Sequence, residues 1–186
     1  MDKDIRFTKI KLVGDPQKLR LEWLQRNGSK WDEYSFTSND EPHPDFFEQL
    51  QSLIDHVIDI CELPNDESEH IKHEIKGVSY SFTNDVMGAT ITSLRRLGNS
   101  NAPLVINTPH KVEDFYSETG DEKQLLPDNA IIDLYALQRE AKAFLDGKRS
   151  QGDLFTNEFH EKVPGVTKAE YAPLHKVTNI GINTES

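Results

Sequence analysis

IRFTKIKLVGDPQKLRLEWLQRNGSKWDEYSFTS, residues 5–38, is the stretch on which the fold turns. Ile5, Phe7, Lys9, Lys11 and Val13 fall on one side of an extended chain, and Arg6, Thr8, Ile10 and Leu12 on the other, since successive strand side chains point to opposite faces. Both sides mix apolar and charged residues, so the inner face changes along the strand. Gly14-Asp15-Pro16 closes it. Leu19, Leu21 and Trp23 then alternate with Arg20, Glu22 and Leu24. Asn27-Gly28-Ser29 supplies turn residues that tolerate positive φ. Alternation resumes from Lys30 to Ser38, where Tyr34 and Phe36 favour strand. The pattern predicts a three-stranded antiparallel meander.

Beyond it the period lengthens. Phe46, Phe47, Leu50, Leu53, Ile54, Val57, Ile58 and Cys61 recur at three- and four-residue steps, the stripe of an amphipathic helix. Pro44 and Asp45 suit its first turn and Pro64 lies past its end. Strand character returns over Ile71–Thr83, and again over Val86–Leu97 after an Asn84-Asp85 turn. Leu104-Val105-Ile106 forms a short strand after the polar loop Asn99-Ser100-Asn101, and residues 107–125 read as irregular. A second helix is predicted from about Pro127 to Asp146, with Ile131, Leu134, Tyr135, Ala141, Phe144 and Leu145 on one stripe and Gly147 to stop it. The expectation is an α+β fold: an antiparallel sheet of about five to six strands, two amphipathic helices packed on it, and a C-terminal extension. Residues 1–146 form the core domain. In residues 147–186, Gly152, Pro164, Gly165, Pro173 and Gly181 interrupt any stripe, which predicts a polar, flexible tail.

Charge is unevenly shared. The chain carries a formal net charge of -11, and residues 146–186 hold five basic against six acidic side chains, which leaves -10 for residues 1–145. Phosphates are repelled by such a domain, and Arg95-Arg96 and Lys148-Arg149 are too short to offset it, so direct nucleic-acid binding is not expected. The same charge admits a second reading, in which the domain imitates DNA and inhibits a host replication or defence protein. No apolar run nears the roughly 18 residues that cross a bilayer, Met1-Asp2-Lys3-Asp4 begins no secretory signal, and a single cysteine, Cys61, fits a reducing compartment. These features predict a cytoplasmic protein without membrane contact.

Catalytic signals are sparse. Glu69, His70, His73 and Glu74 gather imidazoles and carboxylates, but no third ligand stands at metal-site spacing, and no metal is expected. His110, close to Glu113 and Asp114, has the makings of a base oriented by a carboxylate, the basis of a small hydrolase or nuclease reading. Asn101, Asn107 and His110 flank the short apolar run and form a possible binding loop. Cys61 lies on the first helix's apolar stripe and reads as a small core residue, not a nucleophile. No phosphate loop, nucleophile elbow or paired-cysteine pattern is present, and no cofactor is expected.

Gln151-Gly152-Asp153-Leu154-Phe155 carries the sharpest signal. Adjacent Leu and Phe can fill one apolar groove, each contributing on the order of 1.5–3 kcal/mol on full burial before ordering costs, while Gln offers a donor and an acceptor to a polar subsite. The string resembles the linear motif by which bacterial replication and repair proteins dock on the DNA polymerase III sliding clamp. Gln151, Asp153, Leu154 and Phe155 match that pattern, and Gly152 departs from its frequent Leu. Lys9-Ile10-Lys11-Leu12, Val86-Met87-Gly88-Ala89-Thr90-Ile91-Thr92, and the run from Ser100 to Lys111 resemble segments of small, uncharacterised proteins of tailed bacteriophages and prophages. The likeness spans most of residues 5–155. That likeness supplies a context and no activity. Together with the pentapeptide it leads to the expectation of a non-enzymatic accessory protein that works in the bacterial host cell, engages the clamp (beta subunit) through residues 151–155, and modulates or recruits replication or repair factors through a second protein partner on the core.

Overall fold

The computed structural model describes residues 5–114 and 121–150. Three strands open the chain, β1 (Ile5–Val13), β2 (Lys18–Asn27) and β3 (Lys30–Ser38), in the meander the alternation predicts. Then follow α1 (Pro44–Gln51), α2 (Ile54–Ile60) and the single turn α3 (Glu67–His70). A second antiparallel set, β4 (His73–Thr83), β5 (Val86–Leu97), β6 (Ser100–Asn107) and the two-residue β7 (Lys111–Val112), precedes α4 (Asp128–Leu145). The strands make one sheet in the order β3-β2-β1-β4-β5-β6, with β7 also on β5.

The two halves meet at β1 and β4, where Lys9, Ile10 and Lys11 register with Ser79, Val78 and Gly77. Gly77 is required there, because an added Cβ would stand 2.4 Å from the Ile10 carbonyl oxygen and 2.8 Å from Lys11 Cα. A register shift in β4 between Ile75 and Gly77 is held by Gln51, whose side-chain amide accepts from Ile75 N–H at 3.0 Å and donates to Ile75 O at 3.2 Å. Asn84 and Asp85 both take positive φ, 51° and 67°, and close the β4–β5 hairpin tightly.

The first helix differs from its continuous prediction. It breaks at Ser52-Leu53, where the Ser52 hydroxyl donates to Gln49 O at 2.9 Å and competes with the helical ladder. The break leaves one apolar face intact: Phe46, Leu50, Leu53 and Val57 are all buried with Leu134, Leu137, Ala141 and Phe144 of α4 against Phe7, Ile10, Leu21, Ile75 and Ile91 of the sheet. Among the described residues, helices therefore layer one face and none covers the other, the open face. That open face alternates charge, as in Lys9–Glu22 at 3.2 Å and Arg20–Glu22 at 2.7 Å.

Candidate functional site

Residues 147–150 form a strap anchored to the core. Gly147, at φ +105°, ends α4, and Lys148 N–H returns to Ala143 O at 2.8 Å. Lys148 Nζ then bridges Asp45 at 2.7 Å and Glu140 at 2.8 Å. The hydrogen bond to Asp45, then that to Glu140, raises the ammonium's pKa, and the same Lys148 contact lowers that of Asp45. Arg149 lays its guanidinium 3.6 Å over the Phe144 ring and donates from Nε to Asp40 at 3.1 Å. Ser150 N–H donates to Glu41 O at 3.1 Å, beside an antiparallel bridge between Pro42 and Arg149. Asp40, Glu41 and Asp45 form the rail of this strap. Packing thus continues four residues past the Asp146 boundary that composition suggested, and the first compact unit ends at Ser150. Gln151, Asp153, Leu154 and Phe155 lie outside the described residues.

Asn101, Asn107 and His110 do not form one loop. Asn101 and Asn107 belong to β6, which is longer than the apolar run that predicted it because a tight Gly98-Asn99 turn leads into it. Asn101 lines a shallow pocket of about 340 Å³ with Glu74, Leu94, Arg96, Leu97 and Pro103. Asn107 Oδ1 accepts from the Thr92 hydroxyl at 2.8 Å. His110 lies farther on, Nε2 2.8 Å from Ser81 Oγ and over Gly88. Leu97 and Gly88, which mark the two ends, are separated along β5 by about 30 Å at the usual rise per residue.

The expected orientation of His110 by Glu113 is not formed. Glu113 accepts instead from Met87 N–H at 2.8 Å and from the Tyr135 hydroxyl at 2.6 Å. Burial first, then this bond, raises the Tyr135 pKa well above the ordinary phenol value. Ser81 and His110 are left as an exposed hydroxyl–imidazole pair on the open sheet face.

A buried charged network was not visible as such in the sequence. Glu69 and His73, whose side chains are 3% and 0% exposed, meet at 3.3 Å, and the other ring nitrogen of His73 lies 3.0 Å from Ser93 Oγ. Arg95 donates to both Glu69 oxygens, and Lys72 donates to one at 3.0 Å. The Arg95 hydrogen bonds are the main cause that holds the Glu69 carboxyl far below the usual range, with burial opposing. Serine, histidine and carboxylate stand in a row, but Ser93 is wholly buried, so no substrate reaches it. His70 points elsewhere, to Asn65 at 3.0 Å and Asp55 at 3.1 Å. The four-residue spacing of Glu69 and His73, with Arg95 facing His73 in the β4–β5 register, was the available signal. Among the described residues no group of three or more His, Cys, Asp or Glu is placed to hold a metal ion, and no helix is long and apolar enough to cross a membrane.

Comparison with protein-family models, curated proteins and solved structures finds no match. Fold and geometry define the class: an α+β protein whose antiparallel sheet is layered by helices on one face. Its particular feature is the strap that fixes the chain as far as Ser150.

Proposed function

We propose that the chain is an accessory protein of a phage or mobile element that docks on the bacterial sliding clamp through Gln151, Asp153, Leu154 and Phe155. The observation that carries this reading is the position of the motif. It begins at the residue after Ser150, which is the last described residue and is bonded to the core. A motif that follows directly on an anchored strap keeps its carrier domain close to the clamp surface once bound, which suits a protein that blocks or positions a second factor there. Short motifs draw their specificity from a pocket on the partner and release readily, as a transient accessory requires.

Titration of purified clamp with the full chain tests it. Binding is expected to weaken more than about tenfold in Leu154→Ala/Phe155→Ala, with thermal unfolding of the core unchanged. Retained affinity in that double variant removes the proposal.

Neither rival reading has a specific observation in its favour. Basic residues interleave with the acids of the open sheet face through Lys9–Glu22, Arg20–Glu22 and Lys76–Glu74 pairs, so that face offers no continuous imitation of DNA charge. The hydrolase reading rests on a carboxylate, Glu113 or Asp114, that orients His110, and of these Glu113 is engaged by Tyr135 and Met87.

A further inference from the structure

The fold sorts the charge of this acidic domain onto two sides. On the open face, strand alternation and register place Lys9, Lys11, Lys18 and Arg20 in one block across β1 and β2, with Lys11 opposite Arg20. Lys76, at the register shift beside Gly77, extends the block onto β4, where Gly77 faces Lys11. Arg6, Arg26 and Arg96 lie farther out on the same face. The acids that the six strands β1 to β6 turn to this side are Glu22, Glu33 and Glu74. Eight cations thus stand against three carboxylates, with Asp85 of the β4–β5 turn paired to Arg6. The helix-layered side is the reverse. Residues 44–70, which carry α1 to α3, hold eight acidic residues and no Lys or Arg.

We propose that the open face binds the phosphate backbone of duplex nucleic acid, without regard to base sequence. Glu22 is shared by Lys9 at 3.2 Å and Arg20 at 2.7 Å, so one carboxylate is set against two cations. Lys11 and Lys18 have no hydrogen-bonded or acidic partner among the described residues. Lys9 and Lys11 stand about 7 Å apart along β1, and Arg20 about 5 Å from Lys11 across the ladder. Such a grid presents a cation to successive phosphates.

The net charge of -11 predicts against this when it is treated as uniform. It is not uniform. The acids of the helices lie roughly 10 Å or more behind the sheet. From an anion in front of the sheet they are more than one Debye length away, about 8 Å at physiological salt. The nearer lysines and arginines therefore set the field that the anion meets.

The rest of the face selects the class of polyanion. Beside the cations lie Ser79, Ser81, Thr90 and Thr92, hydroxyls of the kind that bond phosphate oxygens. Protein interfaces have apolar centres from which lysine is depleted, and the centre of this face is lysine, serine and threonine. Single strands are held by bases stacked on aromatic rings. Trp31, the aromatic residue that the β2–β3 register places on this face, is already covered by the Arg6 guanidinium at 4.4 Å. A duplex, whose bases stay stacked on each other, asks only for the backbone contacts. The inference does not rest on clamp docking, and its test contains no clamp.

Titration of the full chain into a labelled duplex DNA of about 20 base pairs at roughly 50 mM salt, followed by fluorescence anisotropy, tests it. Binding is expected, with log K falling against log salt at a slope of about -3, for three to four phosphates neutralised. Lys11→Glu/Lys18→Glu should weaken it at least about tenfold, with thermal unfolding little changed because neither lysine has a partner to lose. Glu48→Lys/Asp59→Lys shifts the net charge equally in the other direction, at exposed positions of α1 and α2. It should alter affinity less than about twofold, since those charges are screened from the open face. No binding at the lower salt overturns the proposal, and so does full affinity in the Lys11→Glu/Lys18→Glu variant. A single strand of the same sequence, or polyglutamate, held more tightly than the duplex overturns it as well.

Discussion

Arg149 rests its guanidinium 3.6 Å above the ring of Phe144, whose own side chain is buried in the core. The pair joins the last turn of α4 to the strap that follows it. Arg149 also donates to Phe144 O and to Asp40, so one side chain ties helix, strap and rail together.

Arg149→Ala removes that stacking and is expected to lower stability by about 1 kcal/mol. Urea denaturation reads it as an earlier midpoint at unchanged slope. Arg149→Lys, which keeps the charge but loses the planar stack, should recover only part of the loss. An Ala variant with the wild-type midpoint would show that the stacking contributes nothing.

The Glu69 network has a pH signature. Arg95, foremost, holds the Glu69 carboxyl well below its unfolded value. A depressed folded pKa contributes stability above the unfolded pKa, and that contribution is lost as pH falls toward the folded one. Unfolding free energy should therefore decline steadily below about pH 4.5. In Glu69→Gln, stability at neutral pH should drop by about 2 kcal/mol and the acid-side slope should shrink. Equal slopes in both proteins would show that Glu69 has no part in the acid transition.

Two glycines make predictions of different size. An added Cβ at Gly77 meets backbone of β1 at 2.4 Å, whereas at Gly88 it meets the His110 imidazole at 2.4 Å and Ser81 Oγ at 2.6 Å. A surface imidazole can swing aside, and a paired strand cannot. Gly77→Ala should cost about 3 kcal/mol or more, and Gly88→Ala about 1 kcal/mol, for the lost hydrogen bond. Thermal melts of the two variants should separate clearly, and similar melting points would contradict the packing described for β1 and β4.

Alkaline titration should divide the tyrosines. Burial raises the pKa of Tyr80, and burial together with Glu113 raises that of Tyr135. Both phenols stay protonated in the folded state through the range where an exposed one ionises, near pH 10. This contribution to stability is complete below the unfolded phenol pKa and is lost as pH rises above it. Ultraviolet absorbance should show two of the five tyrosines ionising only as the fold collapses. A single titration of all five before unfolding would refute this.

Much of the architecture was set by periodicity. The alternation from Ile5 to Ser38, the three- and four-residue stripe after Pro44 and the helix before Gly147 each specify an element, because burying one face of a strand or helix demands that spacing. Local turn chemistry at Asn84-Asp85 is equally direct. The sequence also supplied the pentapeptide, since a linear motif is legible without a fold. Tertiary structure decided what depends on partners far apart in the chain. Asn101 and His110 are close in sequence, yet β6 carries them to opposite ends of the sheet. Glu113 lies three residues from His110, yet its carboxylate is taken by Tyr135, 22 residues away. Arg95 reaches Glu69 only because the β4–β5 register sets it opposite His73, just past the helical turn that carries Glu69. Period and propensity act over a few residues, whereas hydrogen-bond partners and exposed edges are fixed only when the strands have found their order.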